Sequence, residues 1–265
     1  MAARLTVPDL QAMKDQGRRI AALTAYDAGF ARVLDGAGVD LVLVGDSLGM
    51  VVQGLETTVA VSLDDMVYHC RCVARGLERA LLLADLPFLT YATPESAAHS
   101  AARLLQQGGA QMVKLEGGRL RVDVVRFLVE QNIPVCGHLG LLPQSVHRLG
   151  GYPVQGRDQA SARALQEDAL LLQEAGISLL VLECVPAQLA EAIRYELSIP
   201  VIGIGAGLAC DGQVLVLHDL LGVTPGKRPR FVRNFLEGAG GVGEAVARYV
   251  EAVRSGSFPG AEHSY

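Results

Sequence analysis

Ionisable side chains end several apolar runs of this sequence, at positions where a buried strand would finish. The run Leu-Val-Leu-Val-Gly at 41–45 is followed directly by Asp46 and Ser47. Similar runs carry a carboxylate, an amine or an imidazole near their ends, at Asp85, Lys114, Glu116, His138 and Glu183. Apolar runs of this kind are typical of strands buried on both faces. If these side chains meet, they could bind a metal ion and move protons.

Four of these side chains are carboxylates, and crowded carboxylates repel one another. A bound divalent cation would offset this repulsion. The evident ligands are oxygens, which favours Mg²⁺ or Mn²⁺ over zinc. Glu183 lies in the apolar segment LLVLECV, where a charge is costly unless it has a partner or a chemical role. Taken singly, Asp46 or Asp85 would more often be a turn or helix-cap residue, and His138 a structural histidine. The functional interpretation therefore depends on the whole set.

Strand-like and helical segments alternate along the chain, and this alternation predicts where the ionisable residues lie in the fold. Strands are predicted at 19–26, 41–47, 81–87, 112–118, 134–140, 179–185, 200–207 and 214–220. Repeated alternation predicts parallel strands, and eight of them favour a (β/α)8 TIM barrel over an open doubly wound sheet. Functional groups of such barrels gather at the carboxyl ends of the strands. Five consecutive strands, the second to the sixth, would deliver ionisable groups to that end.

Helices are predicted between the strands, with an extra N-terminal helix at 8–15 and a terminal helix at 243–254. One intervening helix has Thr93 as its N-cap and Pro94 in its first turn, and it ends at Gly108. The connection between the seventh and eighth strands is too short for a full helix. With no linker or fixed repeat in view, we expect a single domain over 1–265.

Composition excludes several classes of protein. The 265 residues are 50% hydrophobic with a formal net charge of −5, which does not suggest a nucleic-acid-binding surface. No apolar stretch reaches the ~20 residues of a membrane span, and the N-terminus lacks the apolar core of a signal peptide. The five cysteines are irregularly spaced, which favours a reduced, cytoplasmic protein. The basic run at 227–230 is interpreted as a solvated loop.

Three glycine-rich segments need separate interpretation. GAGGVG at 238–243 matches a dinucleotide-binding pattern, but it follows FVRNFLEG, which we expect to be helical, so the required strand is missing. GIGAG at 203–207 follows a predicted strand and could hold a phosphate, or it could allow a ligand to approach the backbone closely. The segment 147–157, after the fifth strand, could be either a lid or a simple connection.

Longer motifs carry a family resemblance. TAYD, VGDSLGMVVQG, LLLADLPF, VKLEGG, CGHLGLLPQSV, GGYPVQGR, LVLECVP, PVIGIGAG and HDLLG occur in this order. Over nearly the whole chain, from about Thr24 onward, they resemble the ketopantoate hydroxymethyltransferases. The resemblance implies a (β/α)8 barrel that assembles as a decamer of two stacked pentamers. It also implies synthesis of ketopantoate, on the route to pantothenate and coenzyme A, from 2-oxoisovalerate and 5,10-methylenetetrahydrofolate.

The same resemblance implies a role for each residue of the set. Mg²⁺ would be held by Asp46, Asp85 and Glu116. The substrate would be bound by Asp46, Ser47, Asp85, Lys114 and His138. Glu183 would accept the proton from C3 of the 2-oxo acid, and the metal would polarise the ketone next to it. Burial of Glu183 in an apolar strand would raise its basicity, which suits this task.

Two alternatives remain open from the sequence. The first is another Mg²⁺-dependent barrel enzyme acting on an oxo-acid enolate, such as a C–C or P–C lyase or mutase. Isocitrate-lyase-type enzymes commonly carry a KKCGH loop, which is absent here. The second is a non-catalytic binding or scaffold barrel, which would not need lysine and carboxylates at separate strand ends.

Overall fold

The computed structural model describes residues 4–224, 226 and 228–265. Eight strands form one closed parallel sheet. They are β1 Ile20–Thr24, β2 Leu41–Val44, β3 Leu81–Asp85, β4 Met112–Glu116, β5 Val135–Gly140, β6 Leu179–Glu183, β7 Val201–Ile204 and β8 Gly212–Leu215. The order around the barrel follows the sequence, and β8 pairs in parallel with β1 to close it. The predicted (β/α)8 fold is therefore confirmed.

Helices surround the sheet. Those in the first half of the chain are α1 Val7–Asp15, α2 Ala28–Gly36, α3 Leu48–Val51, α4 Leu63–Ala74, α5 Pro94–Gln106 and α6 Val122–Glu130. The second half contributes α7 Val146–Leu149, α8 Gln159–Glu174, α9 Ala187–Glu196, α10 Leu217–Leu220 and α11 Val242–Ser255. Short 3₁₀ turns lie at Arg119–Arg121, Pro143–Ser145 and Ala261–His263.

Local sequence explains where the elements begin and what they bury. The Thr93 side chain accepts a hydrogen bond from Ser96 N, and Pro94 is the first residue of α5, as predicted. The strands are almost wholly buried because the barrel interior covers one face and the helices cover the other. α11 docks across β1 and β8 through the Tyr249 hydroxyl, 3.0 Å from Ala22 O and 2.9 Å from Gln213 O.

Two buried carboxylates fasten the amino end of the barrel, opposite the predicted site. Asp40 is paired with Arg79 at 3.2 Å and with Arg254 at 3.3 Å. Asp211 is paired with Lys14 at 3.1 Å and with Arg194 at 2.9 Å. Because each of these carboxylates is paired with two cations, we interpret both as structural. The carboxylates of the predicted site lie at the opposite end of the barrel.

Two expectations about the last third of the chain were wrong. The eighth strand was predicted at 214–220, but it begins at Gly212 and ends at Leu215, and the rest of that segment forms α10. FVRNFLEG was expected to be helical, but residues 231–238 form turns and bends. The short connection from β7 to β8 is helix-free, as expected. None of the helices in the described part of the chain is long and apolar enough to cross a membrane.

Candidate active site

Strand register brings the predicted site residues together at the carboxyl end of the barrel. Asp85 pairs with Lys114 across β3 and β4, and Glu116 pairs with His138 across β4 and β5. Glu183 is the last residue of β6. All seven predicted residues line one cavity of about 550 Å³, and they are Asp46, Ser47, Asp85, Lys114, Glu116, His138 and Glu183.

Asp46 and Asp85 form the most crowded part of this cavity. The backbone N–H of Asp46 donates to Asp85 Oδ2 at 3.1 Å, and Lys114 Nζ lies 2.8 Å from Asp85 Oδ1. The close approach depends on Gly45, where an added Cβ would stand 3.3 Å from Asp85 Oδ2 and 2.9 Å from Ser47 Oγ. Burial, and then the charge of Asp85, raise the pKa of Asp46 to about 7.

Lys114 is a buried cation surrounded by carboxylates. Burial by itself lowers the pKa of its amine, but Asp85, Glu116 and Asp46 outweigh burial and hold the pKa above its ordinary value. Burial raises the pKa of Glu116 well above its usual range, and Asp46 adds to the shift. One ammonium faces three buried carboxylates, so the cluster has an excess of negative charge when all three are ionised. A bound cation or added protons would relieve that excess.

His138 connects this cluster to Glu183. Lys114 Nζ lies 3.2 Å from His138 Nδ1, and His138 Nε2 lies 3.2 Å from Glu183 Oε2. Burial and the charge of Lys114 hold the pKa of His138 well below its ordinary value, so the ring is neutral. Burial raises the pKa of Glu183 to about 7, although Lys114 opposes the shift. A carboxylate with this pKa can both accept and release a proton near neutrality.

Ser47 lies at the edge of the cavity, and its hydroxyl is 2.8 Å from the Tyr26 hydroxyl. Tyr152, from the 147–157 segment, borders the cavity, and its hydroxyl donates to Met50 Sδ at 3.7 Å. That contact brings the segment to the cavity mouth, and its action as a lid stays a prediction. Arg228 and Arg230 of the basic run are exposed, as expected, and they also border the cavity. Lys227 lies outside the described residues.

The glycines of GIGAG are explained by packing. An added Cβ at Gly205 would meet the Phe231 ring at 2.9 Å, and one at Gly207 would meet Ala187 Cβ at 2.6 Å. Both residues also have positive φ, at 61° and 83°. Packing within the chain therefore accounts for these two glycines. Both interpretations from the sequence, a phosphate site and a close approach of a ligand to the backbone, stay predictions. GAGGVG runs through a loop into the first turn of α11, and no strand precedes it directly, as expected from the sequence.

Known proteins with similar sequences identify the family. A sequence model of ketopantoate hydroxymethyltransferase matches residues 4–261. The 3-methyl-2-oxobutanoate hydroxymethyltransferase of Nitrosococcus oceani is 60% identical over 262 residues, covering 99% of both chains. This chain belongs to the ketopantoate hydroxymethyltransferase family. The enzyme of the same name from Methylococcus capsulatus is 61% identical, covering 98% of this chain and 97% of its own. The protein is thus a hydroxymethyltransferase.

Solved structures with the same architecture have much lower sequence identity. Phosphonopyruvate hydrolase in complex with oxalate and Mg²⁺ aligns with a TM-score of 0.64 at 13% identity, covering 94% of this chain and 96% of its own. A 2,3-dimethylmalate lyase of the PEP mutase/isocitrate lyase superfamily gives 0.59 at 17% identity, covering 79% of this chain and 80% of its own. At such identities the likeness concerns the fold alone.

The carboxylates of this hydroxymethyltransferase fit a partial metal site. Within residues 4–224, 226 and 228–265, no three His, Cys, Asp or Glu side chains form a group that could hold a metal ion by themselves. Mg²⁺ usually binds one or two carboxylates and completes its shell with substrate oxygens and water. Asp46 and Asp85 are adjacent and buried at the cavity wall, so they suit that role, and Glu116 lines the same cavity.

Sequence reasoning missed two buried residues of the hydroxymethyltransferase site. Gln144 Nε2 donates to Asp46 Oδ2 at 2.8 Å, and Gln144 N donates to Glu116 Oε2 at 3.1 Å. The Tyr91 hydroxyl donates to Gln144 Oε1 at 2.5 Å. The only available signal was the position of Gln144 in the motif CGHLGLLPQSV, because a neutral residue in a loop is ordinarily exposed.

Proposed function

We propose that this hydroxymethyltransferase converts 3-methyl-2-oxobutanoate (2-oxoisovalerate) to ketopantoate, with Mg²⁺ as metal and 5,10-methylenetetrahydrofolate as donor. The names of the close relatives support the oxo acid as substrate. The observation that carries the chemistry is the arrangement of Glu183 beside a buried Asp46–Asp85–Lys114 cluster in one cavity. A carboxyl group with a pKa of about 7 is suited to act as the base, and the groups near it are suited to a metal and to an anionic substrate.

Asp46 and Asp85, together with Glu116, are the residues that would hold Mg²⁺. When bound, the metal would polarise the ketone of the 2-oxo acid and stabilise negative charge on its oxygen. Lys114 supplies a fixed positive charge beside Asp85, suited to the carboxylate of the substrate. Ser47 and His138 would contact the substrate from the two sides of this cluster. These role assignments combine the family resemblance with the observed convergence of the residues.

Glu183 is the proposed base. It takes the proton from C3, and the electron pair left on C3 forms the new bond to the one-carbon unit. Water supplies the hydroxyl group. The two bonds that join the one-carbon unit to N5 and N10 of the folate both break, and the C3 proton and the second proton of the water end on these nitrogens as tetrahydrofolate leaves. The Nε2 of the neutral His138 ring lies 3.2 Å from Glu183 Oε2 but has no hydrogen-bond partner among the described residues, so it would be available to the substrate. A positioned base of this kind contributes on the order of 10²–10⁴-fold to a rate.

The cavity is larger than a small oxo acid requires. Its volume of about 550 Å³ lies in the range of sites for larger ligands. Besides the carboxylates, aromatic and apolar side chains form its wall, namely Tyr152, Phe231, Tyr265, Ile204, Val214 and Val216. Flat apolar walls suit the ring system of a folate, so this part of the cavity is where we place the donor.

Exchange of the C3 hydrogen tests the function in its simplest form. The protein, Mg²⁺ and 2-oxoisovalerate in D₂O should exchange that hydrogen without folate, and removal of Mg²⁺ by a chelator should stop the exchange. Adding 5,10-methylenetetrahydrofolate should then yield ketopantoate. Exchange without product formation would favour another enolate-forming enzyme, and absence of both would refute the proposal.

We further propose that the chain forms one domain over 1–265, assembles as a decamer and works in the cytoplasm without nucleic-acid or membrane partners. The family resemblance supports the assembly. The irregularly spaced cysteines, which are free in the described residues, support the compartment.

A further inference from the structure

Gln144 holds two of the proposed metal-binding carboxylates at once. It lies in the 3₁₀ turn Pro143–Ser145 that follows β5, and its side chain is buried. Its amide nitrogen donates to Asp46 Oδ2 at 2.8 Å and to Leu86 O at 3.0 Å. Its backbone nitrogen donates to Glu116 Oε2 at 3.1 Å. One residue of the loop after β5 therefore ties together the ends of β2, β3 and β4.

The orientation of this amide is fixed by its partners. Leu86 O is a backbone carbonyl and can only accept, so the NH₂ group of Gln144 must face it. The same NH₂ group then faces Asp46 Oδ2, which must accept and is therefore presented without a proton. On the other side, Gln144 Oε1 accepts from the Tyr91 hydroxyl at 2.5 Å. Rotating the amide by half a turn would instead bring its Oε1 against two other acceptors, Leu86 O and Asp46 Oδ2.

The backbone contact to Glu116 follows from the shape of the turn. Gln144 is the second residue of a 3₁₀ turn that begins with Pro143, so its N–H has no partner within the turn. That free donor points at Glu116 Oε2. The side chain and the backbone of one residue therefore bind different carboxylates, and the contacts of the amide with Leu86 and Tyr91 restrain the position of Asp46 relative to Glu116.

We propose that Gln144 is a positioning residue for Mg²⁺, holding Asp46 and Glu116 as oriented acceptors against their mutual repulsion. Tyr91 acts behind it by fixing the amide. This inference rests on the proposed metal role of the carboxylates. Residues that orient metal ligands in this way typically affect metal affinity or activity by about 10–100-fold.

Gln144→Met tests the proposal, because methionine keeps the length of the side chain and loses the amide nitrogen and oxygen, while the backbone contact to Glu116 remains. Calorimetric titration of Mg²⁺ in the presence of 2-oxoisovalerate should show affinity lowered by about 10–100-fold. In steady-state assays the KM for Mg²⁺ should rise by a similar factor, while kcat at saturating Mg²⁺ should return to within about threefold of wild type.

Gln173→Met is the matched control. Gln173 Oε1 accepts from Ser198 N at 2.7 Å, so this amide also ties backbone together, but it does so outside the cavity. Its loss should lower the thermal unfolding midpoint and leave Mg²⁺ affinity unchanged. If Gln144 had only a structural role, Gln144→Met would behave in the same way, and that result would overturn the proposal.

Tyr91→Phe provides a second variant that leaves Gln144 in place. It removes only the hydroxyl that holds Oε1, and we expect Mg²⁺ affinity to fall at least threefold. Should Gln144→Met fail to fold, unchanged Mg²⁺ affinity in Tyr91→Phe would overturn the proposal by itself. If the wild-type protein bound 2-oxoisovalerate equally well with and without Mg²⁺, the proposed metal would be refuted. That result is distinguishable from one in which Mg²⁺ binds but Gln144 has no effect on its affinity.

Discussion

His138 Nε2 lies 3.2 Å from Glu183 Oε2, where two neighbouring strands of the barrel end. The other ring nitrogen, Nδ1, accepts from Lys114 Nζ at 3.2 Å, because an ammonium can only donate. The single proton of the neutral ring is therefore on Nε2, on the side of Glu183. This N–H has no hydrogen-bond partner among the described residues, so the approach of His138 to Glu183 is a close contact rather than a hydrogen bond.

The rate of C3 hydrogen exchange should depend on pH through Glu183. Burial raises the pKa of this carboxyl to about 7, and only the deprotonated form can accept a proton. The exchange kcat/KM should therefore fall about tenfold per pH unit below neutrality and level off above it. Exchange measured by NMR from pH 5.5 to 9 tests this. A profile that stays flat down to pH 5.5 would contradict the assignment.

Removal of either central carboxylate should weaken Mg²⁺-dependent substrate binding. In Asp46→Ala and Asp85→Ala, a hard cation loses a charged oxygen ligand. Calorimetry with Mg²⁺ and 2-oxoisovalerate should show affinity reduced at least tenfold in both variants. Asp64→Ala is the control, since Asp64 is exposed and pairs with Arg103 at the surface. Unchanged affinity in both site variants would remove them from the metal site.

The assembly should be far larger than one chain. Light scattering at micromolar concentration should give about ten times the chain mass of 28.0 kDa. The family resemblance is the reason for this expectation. A mass near that of a single chain would contradict it, and an intermediate mass would support a smaller ring.

The sequence predicted the fold well where strands were continuous apolar runs, and it misplaced β8 for a physical reason. β8 begins with Gly212 and Gln213, which do not look like a buried strand. Gly212 is required because an added Cβ would meet Ile20 O at 2.3 Å, and Gln213 is buried because its amide donates to Gly207 O at 3.0 Å. Such tertiary contacts leave no local pattern. The single-domain assignment stays a prediction.

The residues of the candidate site also fall into those that the sequence reveals and those that it does not. Asp46, Asp85 and Glu183 could be found because a carboxylate at the end of a buried strand is conspicuous in sequence. Gln144 and Tyr91 could not be found so, because their importance comes from contacts between loops far apart in the chain. The tautomer of His138 likewise follows from the contact of its Nδ1 with Lys114 Nζ, which joins residues 24 positions apart in the chain.

Glu183→Gln separates the base from the residues that bind. Glutamine keeps the shape of the side chain and a hydrogen-bonding group but cannot accept the C3 proton. Affinity for 2-oxoisovalerate should change by less than about tenfold, or about 1.4 kcal/mol, because Asp46, Asp85 and Lys114 are intact. Turnover and C3 exchange should fall together by about 10²–10⁴-fold.

If Glu183 were only a structural partner of His138, the same variant would lose stability and binding together and keep its exchange rate per bound substrate. Exchange should therefore be measured at saturating 2-oxoisovalerate, on protein whose folding has been checked by circular dichroism. Near-normal exchange under those conditions would exclude Glu183 as the base. The proton would then have to leave through His138 or a metal-bound water, and His138→Gln would show which, because only the first route needs the imidazole.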